Sequence, residues 1–165
     1  MIPEAVEVRR FRLEEAGSVS ALVQGVFDEH VAATFDPEGV AEMHRHVSPV
    51  AIARRAETHD TFVAWQGAQP VGVIEVRDQD HVSMLFVETS HMGLGIATAL
   101  LARAVEAARA AGRAAMTVHS SLNAQSFYER AGFVAASEPQ HVDGFAFVPM
   151  TKRLDLSDSG EVLSS

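Results

Sequence analysis

One stretch constrains this chain more than any other. HVSMLFV (His81 to Val87) alternates and carries branched and aromatic residues, as a strand does. After ETSHM the chain enters GLGIATALLARAVEAARAAG, a glycine-rich turn followed by a long alanine- and leucine-rich run. Leu94, Ala97, Leu101, Ala104, Val105 and Ala108 fall on one helical face, and Gly112 closes the helix. A strand that turns through glycines into a long helix requires a sheet with a helix packed on it. Glycine also lets a ligand approach the main chain closely. The N-terminus of a helix presents free N–H groups and a partial positive charge, so the turn is a candidate anion site, most often for phosphate. The plainer alternative is a strand-to-helix turn with a packing glycine.

Two familiar phosphate motifs do not fit. A dinucleotide fingerprint has two of its glycines in Gly93 and Gly95, but Thr98 stands where the third belongs. The acid expected about 20 residues further on falls near Ala114 to Thr117, where there is none. A P-loop is excluded because no Gly-Lys-Ser/Thr follows.

The rest of the chain supplies the sheet. VEVRRFRL (Val6 to Leu13) reads as a first strand, and Glu14 to about His30 as a helix with Val19, Leu22, Val23 and Val26 on one face. Asp36 and Pro37 have the types favoured at the start of a second helix, and a helical region continues after Pro49. TFVAW and VGVIEVR (Val71 to Arg77), joined by QGAQP, read as a hairpin leading to HVSMLFV. AAMTVHS (Ala114 to Ser120) is a strand, NAQSFYERAGF a short helix closed by Gly132, and Gly144 to Leu154 a last strand, with a short one over Phe133 to Ala136. The order is α+β with a mixed sheet rather than a repeated βα unit. Residues 1–154 read as a single domain and the polar residues 155–165 as a disordered tail.

Composition narrows the partners. A formal charge of -9 over 165 residues excludes a nucleic-acid partner in this reading, since phosphate backbones need clustered Lys and Arg. With no cysteine there is no disulfide, thiolate metal site or cysteine nucleophile. No window approaches a membrane span and the N-terminus lacks the apolar core of a signal peptide, so a cytoplasmic location is expected. His44 and His46, two apart on a helix, point to different faces, and no metal site is expected.

A second constellation follows the strand AAMTVHS. In SSLNAQSFYERAGF, Asn123, Phe127 and Arg130 share a helical face, and Tyr128, the only tyrosine, sits one step round. Taken alone, Tyr128 reads as a half-buried packing aromatic. Taken together, LFVETSHMGLGIATALL, a strand, and then NAQSFYERAGF resemble the GNAT superfamily of acetyl-CoA-dependent N-acetyltransferases. The family pattern of Gln or Arg, two residues, Gly, one residue, and Gly or Ala maps onto Met92, Gly95 and Ala97. Its Asn, mid-helix Tyr and closing Gly-Phe map onto Asn123, Tyr128 and Gly132-Phe133. The closing DGFAFVPMTKRL resembles one bacterial branch, and the likeness covers about Thr61 to Leu154.

The resemblance implies a mostly antiparallel central sheet flanked by helices and splayed between its two central strands. It implies acetyl-CoA as co-substrate, with the backbone of Leu85, Phe86 and Val87 along the pantetheine arm. The turn Met92, Gly93, Leu94, Gly95, Ile96, Ala97 and Thr98 would cradle the pyrophosphate, and Asn123, Phe127 and Arg130 would line the rest. Leu94 and Ala97 are expected to turn toward the sheet. Met92 departs from the family's polar residue. Tyr128 would serve as general acid for the leaving thiolate, and the acceptor would be a primary amine of a small molecule or peptide. Glu75, the one carboxylate inside the central strands, and His119 are the two candidate bases; a solvent-facing strand charge and a polar strand end are their plainer readings. Glu29, His30, Phe35 and Asp36 lie where such proteins build an acceptor pocket. The alternative function is a non-catalytic module that binds acyl-CoA as a sensor or interaction domain. An exposed last strand would allow a homodimer.

Overall fold

A computed structural model describes residues 5–142 and 145–155; the expected tail lies almost wholly outside them. Among the described residues, eight strands form one sheet: β1 (Val6–Arg10), β2 (Asp60–Gln66), β3 (Gln69–Arg77), β4 (His81–Val87), β5 (Ala115–Ser121), β6 (Val134–Ala135), β7 (Gln140–Val142) and β8 (Phe145–Arg153). The helices are α1 (Ala16–His30), α2 (Pro37–His46), α3 (Pro49–Arg55), α4 (Ile96–Ala110) and α5 (Gln125–Arg130). The sheet order is β1-β2-β3-β4-β5-β8-β6, with β7 also on β8, and every pairing is antiparallel except β4 with β5.

Local chemistry sets the helix starts. Asp36 accepts from Gly39 N at 2.7 Å with Pro37 following, and Ser48 accepts from Ala51 N at 3.2 Å with Pro49 following. The proline at position 49 therefore begins a separate helix instead of continuing α2.

Each face of the sheet carries its own core. On one face α4 lays Ile96, Leu100 and Leu101 against Phe62, Ile74 and Val82. On the other, α1 and α3 cover Val63, Trp65, Val73 and Met84 with Val19, Val23 and Ile52. Two sequence expectations are corrected. Leu94 is 40 % exposed and lies outside α4, so Ile96 and Leu100 take the buried face assigned to it. The last strand is not a free edge: β8 pairs with β5 on one side and with β6 and β7 on the other.

Candidate active site

The two central strands part soon after they meet. The parallel ladder between β4 and β5 consists of His81↔Thr117 and Val82↔Val118. From Met84 to Val87, β4 keeps its antiparallel partner β3 but has none in β5, which leaves one backbone edge open. The opening begins at a bulge: Val82 pairs with Val76 and Met84 with Glu75, so Ser83 is the extra residue. A bulge bends its strand and increases the local twist. Leu85, Phe86 and Val87 all lie on this open-edged segment.

The glycine turn follows the open-edged end of β4 and leads into α4. Gly93 and Gly95 have φ of 81° and 85°, left-handed values that disfavour any side chain. Gly95 directly precedes α4, and no side chain caps that helix. The first helical bond is Ala99 N to Gly95 O at 3.0 Å, so the N–H groups of Ile96, Ala97 and Thr98 have no intrahelical acceptor. These groups and the helix dipole form a compact positive site within an acidic protein. Met92 is extended and 47 % exposed, so it contributes no polar group here.

His91 explains itself structurally. Its Nδ1 lies 2.7 Å from Glu88 Oε1 and its Nε2 2.9 Å from Gln66 Oε1, which ties the turn to the β2–β3 hairpin. Hydrogen bonds from Ser90 and then His91 hold the Glu88 carboxyl below the usual carboxylate range. Thr89 bonds Glu29 and, at 2.9 Å, His30 Nε2, so the end of α1 is fastened to the same loop.

Tyr128 lies on the α4 side of the sheet, buried in that core, with its ring edge-to-face against Phe127 (5.0 Å) and Phe133 (5.4 Å). Burial pushes its hydroxyl pKa well above the ordinary tyrosine value. Asn123 and Arg130 are exposed; Asn123 belongs to a 3-10 turn (Leu122–Ala124) that precedes α5, so it does not share an α-helical face with Phe127.

The two candidate bases separate sharply. His119 is exposed on β5, just past the last pair with β4. Met116 and Val118 point into the α4 core, so His119 points to the opposite face. There it stacks on Phe147 (centroids 4.5 Å apart) and meets the edge of His81 (5.0 Å). His81 Nδ1 in turn lies 2.7 Å from Thr117 Oγ1. Burial, then Arg77 and His119, hold the basicity of His81 down.

Glu75 is buried. It is 1 % exposed. Arg55 Nε reaches both carboxylate oxygens, at 3.1 and 2.9 Å, and Ser83 Oγ donates to Oε1 at 2.9 Å. In the structure Glu75 is thus a buried ion-pair partner of Arg55. Sequence reasoning missed Ser83, Arg55 and Phe147, because the registers of β3 with β4 and β5 with β8 and the packing of α3 give them their partners.

Comparison with known proteins bears on the family and the fold. A family model described as an acetyltransferase (GNAT) domain matches residues 31–154. The uncharacterized N-acetyltransferase YafP of Escherichia coli is 32% identical over 100 residues, covering 54% of this chain and 63% of that protein. A GCN5-related N-acetyltransferase structure from Rhodopseudomonas palustris superposes with a TM-score of 0.78 at 26% identity, covering 93% of this chain and 99% of the other. PaiA N-acetyltransferase of Thermoplasma acidophilum, solved with coenzyme A, gives 0.74 at 17% identity over 90% and 98% of the two chains. YncA of Salmonella typhimurium, a putative acetyltransferase solved with acetyl-CoA, gives 0.72 at 19% over 94% and 97%. The mostly antiparallel mixed sheet flanked by helices matches the fold of these acetyltransferase structures. The chain belongs to the GNAT acetyltransferase superfamily.

Proposed function

We propose that this chain transfers an acetyl group from acetyl-CoA to a primary amine of a small molecule or peptide, by direct attack in a ternary complex. The observation that carries the proposal is the disposition of Tyr128 and His119. The one sits on the α4 face and the other on the opposite face, where His119 lies just past the last β5 residue paired with β4. A coenzyme entering along one face and an amine along the other would meet where β4 and β5 part.

The residues present fit the co-substrate. The open edge of Leu85, Phe86 and Val87 offers strand-type hydrogen bonds to an extended pantetheine arm, and the N–H groups at the start of α4 suit its pyrophosphate. The acetyl carbonyl would accept from a β4 main-chain N–H, about Phe86. His119 takes the proton of the attacking amine. The nitrogen bonds to the acetyl carbon, the carbon–sulfur bond breaks, and Tyr128 protonates the leaving thiolate. The likeness to relatives solved with coenzyme A or acetyl-CoA supports the choice of donor.

Calorimetry with acetyl-CoA and a thiol-release assay over a panel of amines test this reading; absence of acetyl-CoA binding would sink it. In the same assay His119→Gln is expected to lower kcat by about 10²-fold or more at neutral pH while acetyl-CoA affinity holds. A wild-type rate would move the base role to water. Met92→Arg adds a cation beside the phosphate cradle and is expected to tighten acetyl-CoA binding by at most about 1.5–3 kcal/mol. Weaker binding in that variant would show that the turn does not face the phosphates.

A further inference from the structure

We infer that Glu75 is a positioning residue that fixes the bulge from which the opening between β4 and β5 arises. The inference rests on the acetyl-CoA reading above and deepens it. Three observations meet at one point. Ser83 is the extra residue of β4, and it directly follows the last residue paired with β5. Its hydroxyl donates to Glu75 Oε1 at 2.9 Å, with the Glu75 main-chain oxygen at 3.2 Å, so the bulged residue is tied back to β3. Glu75 cannot swing away, because Arg55 at the end of α3 grips both its oxygens. Arg55 is itself held, its Nη1 donating to His46 O at 2.7 Å at the end of α2.

The chain of contacts therefore runs from the α2–α3 junction through Arg55 and Glu75 to the Ser83 hydroxyl. It ends on the segment whose free edge would receive the co-substrate. A bulge without this tie is free to slip, since nothing in the β3–β4 ladder pairs Ser83. A slip by one residue would exchange the groups that β4 offers to the opening.

Ser83→Ala tests this without exposing the ion pair. Amide hydrogen exchange in the unliganded protein is expected to quicken over residues 83–87 and to stay unchanged in β1 and β2. Acetyl-CoA KM and Kd are expected to rise about tenfold while KM for the amine changes little. Ser83→Thr, which keeps the hydroxyl, is expected to restore both. Unchanged exchange overturns the clamp, and faster exchange with unaltered acetyl-CoA affinity overturns its positioning role. Failure of the wild-type protein to bind acetyl-CoA overturns the acetyltransferase reading instead, and the exchange result still decides whether the clamp exists.

Discussion

Tyr128→Phe should lower kcat by about 10²–10⁴-fold, the range for removing a positioned general acid, with little change in acetyl-CoA affinity. The substitution deletes the hydroxyl and leaves the ring, which keeps its edge-to-face contacts with Phe127 and Phe133. Stability should therefore hold, and the loss should fall on the chemical step alone. The direction of the pKa shift supplies a second check. Burial disfavours the phenolate, so the hydroxyl stays protonated beyond the ordinary tyrosine range. An acid that keeps its proton cannot cause an alkaline decline, so kcat should not fall through pH 10 on its account. The pH–rate profile from thiol release reads this directly. A wild-type rate in Tyr128→Phe removes the acid role, and an alkaline limb that vanishes in the variant contradicts the buried assignment.

What the sequence disclosed and what it hid divide along a physical line. The hairpin, β4, the glycine turn and the Asp36 cap are written in neighbouring residues, and the residues themselves announce them. Leu94 was assigned to the wrong environment because helical spacing was carried back through Gly95. The left-handed backbone there breaks the phase, and α4 begins afresh at Ile96. The Asn123–Phe127 spacing failed similarly where a 3-10 turn joins α5. β7 carries three exposed residues with no apolar alternation, so nothing marked it as a strand.

The deeper omissions are matters of register. HVSMLFV reads as an unbroken strand, and nothing in it declares that Ser83 lies outside the ladder. Glu75 looks like a lone carboxylate until α3 delivers Arg55 from 20 residues upstream. His119 gains its surroundings from Phe147 and His81, contributed by strands on either side. Residue types nominated the candidates, but strand pairing and helix packing set the surroundings of each.

Arg55→Ala is expected to destabilise the protein by about 3–5 kcal/mol, the cost of leaving a buried charge without its partner. The Glu75 side chain is 1 % exposed and that of Arg55 18 %, so solvent can replace little of what is lost. The same substitution removes the bond from Arg55 Nη1 to His46 O and loosens the α2–α3 junction. Chemical denaturation measures the effect, and a loss below about 0.5 kcal/mol, the ordinary range for surface changes, would contradict a buried pair. The double variant Arg55→Met, Glu75→Leu should be more stable than the sum of the single changes, because two apolar groups leave neither charge stranded. It should nevertheless bind acetyl-CoA weakly, since the Ser83 hydroxyl loses its side-chain acceptor. Stability recovered without affinity would separate the two consequences of Glu75: the burial of its charge, which apolar packing can replace, and its hold on the bulge, which it cannot.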